Sequence, residues 1–124
     1  MNRSRILLVE DNAAVRNATR MLLVSAGYQV TAVASLAEAL EAAADGSGVD
    51  LLVTDYHLSN GETGVQVIAS LRQLLERPLP AVLMSGDASA VVSSLPPDPL
   101  TRVAGKPVDS AQFLNLLQEL LAHR

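Results

Sequence analysis

Five positions in this 124-residue chain carry side chains that can do chemistry together. An acidic pair, Glu10-Asp11, follows the apolar run Ile6-Leu7-Leu8-Val9. Asp55 closes the run Val49 to Thr54, Ser85 follows Pro80 to Met84, and Lys106 follows Leu100 to Ala104. Three carboxylates brought together repel unless cations compensate. A hard divalent ion such as Mg²⁺, which takes oxygen ligands and keeps several waters, does this well. One ammonium cannot neutralise three carboxylates, so Lys106 adds to such an ion rather than replacing it. The group best able to use a divalent cation, a hydroxyl and an ammonium at once is a phosphoryl group, whose oxygens need compensating charge. An aspartate can take that group covalently as an acyl phosphate. Asp55, central and preceded by the dry run Leu51-Leu52-Val53, is the predicted nucleophile. Lys106 is also the single lysine beside eight arginines, and its compact ammonium is not interchangeable with a guanidinium fork.

Taken singly, these pieces are ordinary: an acidic helix start, a strand end and two turns. The order of the elements makes them a set. Ile6 to Val9 is a continuous apolar run of strand length. Asn12 is a plausible N-cap for a helix that keeps its apolar spacing through Ala26 and stops at Gly27. Tyr28 to Val33 is a second strand, and Ser35 with Glu38 has the capping-box pattern ahead of the Ala-rich stretch Ala37 to Ala44. Gly46-Ser47-Gly48 breaks that helix, and Val49 to Thr54 is a third strand. Ser59 to Gly64 is loop chemistry, followed by a helix from Val65 to Leu75 that stops before Pro78. Pro80 to Met84 is a fourth strand and Ser85-Gly86-Asp87 a turn. A weak helix covers Asp87 to Ser94 and is ended by Pro96, Pro97 and Pro99. Leu100 to Ala104 is a fifth strand, Gly105-Lys106-Pro107 a turn, and Asp109 or Ser110 caps a last helix through Leu121. Strand and helix thus alternate five times, which predicts a doubly wound α/β fold with a parallel sheet and helices on both faces. In such sheets ligands sit outside the carboxyl ends of the strands, where all five chemical side chains fall.

Composition narrows the function classes. Residues 1–124 are about the size of one domain, since two would leave roughly 60 residues each, where a core is marginal. Hydrophobic residues at 49% and charged residues at 18% argue against disorder. Aromatics make up only 2%, so the core is aliphatic. A net charge of -4 is the wrong sign for a nucleic-acid binder. The absence of cysteine removes disulfides, thiolate metal sites and a Cys nucleophile. No apolar run is long enough to span a membrane, and Met1 to Arg5 with four following apolar residues does not make a signal peptide. The expectation is a cytoplasmic protein.

The motifs ILLVEDN (Ile6 to Asn12), LLVTDYHL (Leu51 to Leu58), AVLMSGD (Ala81 to Asp87) and GKP (Gly105 to Pro107) resemble those of a response-regulator receiver domain of two-component signalling, from about Ile6 to Leu121. The resemblance implies a flavodoxin-like sheet of order 2-1-3-4-5. It implies Asp55 as phospho-acceptor, loaded from a histidine kinase or a histidine phosphotransfer protein. It places Mg²⁺ on Glu10, Asp11, Asp55 and the main-chain carbonyl of His57. Ser85 matches the hydroxyl that bonds the phosphoryl group, Lys106 the lysine that pairs with it, and the Lys106-Pro107 bond is cis in that family. DYHLSNGETG (Asp55 to Gly64) is most similar to receivers fused to hybrid histidine kinases, so the chain is read as part of such a kinase or as a stand-alone regulator.

Two positions depart from the family pattern. Val103 stands where an aromatic switch residue is common, and Asp87 to Leu100 is a poor helix; together they predict a phosphorylation response confined to the loop after the fourth strand and its short helix. Other readings fit less well. An interaction domain without a working site would not need the intact Glu10, Asp11, Asp55, Ser85 and Lys106. A flavodoxin-like cofactor binder would meet repulsion between Glu10-Asp11 and its phosphate. A haloacid-dehalogenase-type phosphatase would want a second Asp where this chain has His57. A dinucleotide enzyme would need a Gly-x-Gly-x-x-Gly loop.

Overall fold

Runs without polar side chains make stable strands only where both faces are covered, and such runs form the centre of the sheet. The computed structural model describes residues 4–45 and 48–122; Met1 to Arg3, and Gly46-Ser47 of the predicted helix breaker, lie outside them. The strands are β1 (Arg5–Val9), β2 (Gln29–Val33), β3 (Leu51–Asp55), β4 (Ala81–Ser85) and β5 (Thr101–Gly105), all parallel, in the order β2-β1-β3-β4-β5. β1, β3 and β4 are buried almost throughout, whereas the edge strands β2 and β5 are partly exposed. This is the predicted doubly wound order.

Four strands begin one or two residues later than the sequence suggested, and β1 begins one residue earlier, at Arg5. Val49-Asp50, Pro80 and Leu100 precede β3, β4 and β5 rather than opening them. Pro80 has no N–H to give a ladder and contributes only its carbonyl, which accepts from Leu52 N–H at 3.0 Å. Asp55 and Ser85 are therefore the last residues of their strands, held by sheet pairing.

The helices are α1 (Ala13–Ser25), α2 (Leu36–Ala44), α3 (Gly64–Leu75), α4 (Ala88–Ser94) and α5 (Ser110–Ala122), with a short 3₁₀ turn at Ser59–Gly61. Alternate residues of each central strand point to opposite faces. Ile6, Leu8, Val53 and Met84 pack with Leu23 of α1 and Phe113, Leu117 and Leu120 of α5. Leu7, Val9, Leu52 and Leu83 pack with Ala39 of α2, Val67 and Leu71 of α3, and Val91 of α4. Among the described residues no helix is long and apolar enough to cross a membrane.

Local caps agree with the sequence in most places. Asn12 Oδ1 accepts from Val15 N–H, Asp87 Oδ1 from Ala90 N–H, and Asp109 Oδ1 from Gln112 N–H, which settles the start of α5. Gly27, at φ +98°, takes the left-handed conformation that ends α1. Ser35 caps α2, but Glu38 accepts from Ala34 N–H, one residue before the cap, so the box is shifted. Thr63 and Gln66 do close a box, across the boundary between the predicted loop and the predicted helix.

One further tie fixes the Pro-rich segment. The Arg72 guanidinium donates to the Leu79 carbonyl, to Asp98 Oδ2 at 2.8 Å and to Thr101 Oγ1 at 3.1 Å. Asp98 also accepts from the Thr101 hydroxyl and from Leu100 N–H. Partial burial opposes the charge on Asp98, but the bonds from Arg72, Thr101 and Leu100 outweigh it and hold the carboxyl below its ordinary value.

Candidate functional site

Strand register brings the site together. Val9 pairs with Thr54, so their successors Glu10 and Asp55 stand side by side at the strand ends; Asp55 pairs with Met84, and Ser85 with Gly105 immediately before Lys106. The crevice between β1 and β3 is also where the chain order reverses, the usual place for a ligand in an open parallel sheet.

Lys106 is the hub. Its Nζ donates to Glu10 Oε1 at 2.9 Å and stands 3.0 Å from Asp55 Oδ2, joining the ends of β1, β3 and β5. Its backbone N–H donates to the Ser85 carbonyl at 2.8 Å, and the bond to Pro107 is cis. Glu10 is only 1% exposed, and both its oxygens are engaged, Oε1 by Lys106 and Oε2 by Asn12 N–H at 3.1 Å. Its carbonyl accepts from the Arg16 guanidinium at 2.9 Å. Asp11 is less buried, and its Oδ2 accepts from the Ser59 hydroxyl at 2.7 Å. The buried Ser85 Oγ accepts from Asp87 N–H at 3.1 Å, which keeps its own proton for donation elsewhere.

The loop after β3 is folded back on itself. His57 and Thr63 form an antiparallel bridge, flanked by bonds from Leu58 N–H to the Glu62 carbonyl and from Gly64 N–H to the Tyr56 carbonyl. These flanking pairs leave the His57 carbonyl outside the ladder. The His57 ring meets the Tyr56 ring edge-on, with centroids 4.8 Å apart. Glu62 Oε1 accepts from Leu36 N–H at 3.3 Å, tying the loop to the start of α2.

Burial pushes the Glu10 carboxyl above its usual range against the lowering effect of Lys106 and Asn12 N–H. Burial also disfavours the Lys106 ammonium, but its bonds to Glu10 and Asp55 outweigh that and raise it. The Ser59 hydroxyl holds Asp11 below the ordinary carboxylate value. One ligand oxygen each from Glu10, Asp11 and Asp55 lies within 4.8 Å of the others. Carboxylate oxygens offer a hard set of donors, and a single ammonium leaves them short of positive charge, so the residues fit an oxygen-seeking divalent cation.

All five residues singled out from the sequence meet at this edge. Three contributors were not singled out. Ser59 gives no local signal, because its partner is 48 residues away. Arg16 looks like a surface position of an amphipathic helix. Gly64 is the start of α3: a Cβ there would stand 2.5 Å from the Asp55 carbonyl oxygen and 2.5 Å from Leu83 Cδ2. The Thr63-x-x-Gln66 pattern ahead of Val67-Ile68 is the signal that could have placed that helix start.

Val103, in β5 opposite Leu83, is half-buried against the α2–α3 side of the core.

Similarity to known proteins points the same way. Residues 6–118 match the family described as the response regulator receiver domain. No curated protein matches the chain. Among solved structures, a response regulator receiver protein from Sinorhizobium medicae WSM419 is 31% identical, with a TM-score of 0.83 over 98% of this chain and 96% of that one. The receiver domain of the hybrid histidine kinase CckA is 28% identical, with a TM-score of 0.78 over 95% of this chain and 99% of that one. A sensor protein from Polaromonas sp. JS666 is 26% identical, with a TM-score of 0.85 over 98% of both. With the family matched over nearly its whole length and the strand order of the fold in place, the chain belongs to the response regulator receiver family, the receiving domains of two-component signalling.

Proposed function

We propose that Asp55 accepts a phosphoryl group from a phosphohistidine of a histidine kinase or phosphotransfer protein and that the acyl phosphate changes which partners the domain binds. The observation that carries this reading is the Lys106 ammonium bridging Asp55 and Glu10, beside Asp11 and one strand from Ser85. Lys106 engages Asp55 through Oδ2, so Oδ1 is the attacking atom. As Oδ1 bonds to phosphorus, the P–N bond to the donor imidazole breaks and its electron pair stays on the departing nitrogen. Lys106 has three N–H donors, and two are used here, so the third serves a phosphoryl oxygen. The Ser85 hydroxyl donates to another.

Asp11, Asp55 and the His57 carbonyl would hold Mg²⁺ directly, with Glu10 acting through water because both its oxygens are already bonded. A bound Mg²⁺ supplies positive charge against the phosphoryl oxygens. Loss of the group is the reverse problem: water attacks phosphorus, and the side chains of His57 and Asp87 border that approach. The domain works in the cytoplasm, and similarity to the CckA receiver favours a role beside or within a hybrid kinase, in relay or kinase control.

Incubation with acetyl phosphate and Mg²⁺, followed by intact-mass measurement, tests the reading. A gain of one phosphoryl group that disappears in Asp55→Asn and without the metal supports it. No gain, or a gain that survives Asp55→Asn, refutes it.

A further inference from the structure

We propose that Ser59 is a positioning residue for Asp11, its hydroxyl fixing that carboxylate in the orientation from which it binds a divalent cation beside Asp55. The inference rests on the cation reading of the acidic cluster given above. Within that cluster the carboxylates are held very differently. Glu10 is buried and bonded at both oxygens, and Asp55 is the last residue of a central strand with Lys106 on Oδ2. Asp11 sits past the end of β1, partly exposed, where its side chain has rotamers to lose.

The Ser59 hydroxyl reaches it from a different loop, at 2.7 Å, in a charge-assisted bond. The bond uses Oδ2, and a ligand oxygen of Asp11 lies within 4.8 Å of ligand oxygens from Glu10 and Asp55. Ser59 is itself well placed to impose a geometry. Leu58 before it is buried, Asn60 after it turns the chain at φ +62°, and the loop is closed by the Leu58–Glu62 and Gly64–Tyr56 bonds. Glu62 then anchors the loop to α2 through Leu36 N–H. A hydroxyl presented from so fixed a frame orders a carboxylate before the cation arrives, which spares the cation the entropy of ordering it. Outer partners of metal-binding carboxylates act in this way, and losing one weakens metal affinity about 10–100-fold.

Mg²⁺ titration of the full chain, followed by the amide signals of Asp11, Asp55 and His57, tests this in wild type, Ser59→Ala and Ser59→Thr. Ser59→Ala is expected to weaken Mg²⁺ binding about tenfold, the lower end of the range for an exposed partner. Ser59→Thr, which keeps the hydroxyl, restores the wild-type value. In phosphorylation by acetyl phosphate, Ser59→Ala raises the Mg²⁺ concentration for half-maximal rate, while the rate at saturating Mg²⁺ matches wild type, because Ser59 does not touch Asp55. Unchanged or tighter Mg²⁺ binding in Ser59→Ala overturns the proposal, as does a loss that Thr does not restore. If wild type itself gives no saturable Mg²⁺ response at these amides, the cation reading fails first, and the role of Ser59 fails with it.

Discussion

Replacing Gly64 with alanine sets two effects of opposite sign against each other. Alanine is the better helix former by up to about 1 kcal/mol in a helix interior, and by less in the first turn where Gly64 lies. Against this, the new Cβ would meet the Asp55 carbonyl oxygen and Leu83 Cδ2 at 2.5 Å and Thr54 Cγ2 at 3.0 Å. Carbon–carbon contacts settle at about 3.5–4.0 Å, so the Leu83 contact is about 1 Å too close. Leu83 is fully buried and cannot swing aside, and Gly64 N–H donates to the Tyr56 carbonyl at 2.8 Å, so the helix start cannot back away without giving up that bond. Overpacking of this kind costs about 1–3 kcal/mol, and a clash with backbone belongs to the upper half. The net expectation is a loss of about 2 kcal/mol, roughly a 30-fold fall in the folding equilibrium constant. Urea denaturation measures it, with Gly86→Ala as control, since nothing lies within 4 Å of a Cβ there. Phosphorylation by acetyl phosphate should also slow in the folded variant, because the displaced atom is the carbonyl of Asp55 itself. A Gly64→Ala chain that unfolds at the same or higher urea than wild type would mean that helix propensity wins and the packing argument is wrong.

Other perturbations test other parts. Asp98→Asn should cost about 1 kcal/mol at neutral pH, after discounting for partial exposure of the Arg72–Asp98 pair. Because the folded carboxyl is held below its ordinary value, this stability is present above the unfolded value near 4 and is lost as pH falls through the folded one. The difference between wild type and Asp98→Asn in urea should therefore close on acidification below about pH 4, and a widening difference would refute the clamp. Lys106→Ala should leave the Mg²⁺ response measurable but slow acyl-phosphate formation and abolish the phosphorylation-dependent change. Lys106→Arg should rescue only in part, since a planar fork replaces a compact charge; full transfer and response in Lys106→Ala would remove Lys106 from the mechanism. With Val103 in place of an aromatic ring, beryllofluoride should change amide signals between Ser85 and Ser94 without shifting sedimentation, and a monomer-to-dimer shift would contradict this.

The parts of this fold that were legible in the sequence are those governed by local pattern and by topology. Leu51-Leu52-Val53 and Ile6 to Val9 are too apolar for anything but covered strands, and alternation with helices leaves few ways to wind them. Once the winding is known, residues at strand ends share an edge, so Glu10, Asp11, Asp55, Ser85 and Lys106 could be grouped without coordinates. What local pattern could not supply was geometry between distant loops. Ser59 meets Asp11, and Arg72 meets Asp98, only because the folded sheet sets their loops side by side. Boundaries moved for a related reason: pairing with neighbours, not side-chain type, decides where a strand begins, and Pro80 cannot pair through an N–H it lacks. Thr63 to Gln66 was readable as a cap, but Gly64 in its middle looks like a breaker until the close approach to Asp55 shows why nothing larger fits.

The Arg72–Asp98–Thr101 clamp has a mechanical consequence. α4 is a link of seven residues, about 10 Å long, strung between two supports. One support is the Ser85–Asp87 turn, hung from a hydroxyl; the other is Asp98, bolted to α3 by a guanidinium. A pull at the first support meets the second, where the guanidinium and the Thr101 hydroxyl pass the load into both α3 and the start of β5. Strain of that kind must be taken up along the link itself, by tilt or by fraying of its last turn, where the Ser94 hydroxyl bonds back to the Val91 carbonyl. The outer side of the link carries Val92, 58% exposed. A partner that reads the proposed phosphorylation response is expected to touch α4, whose exposed Val92 lies between these two supports.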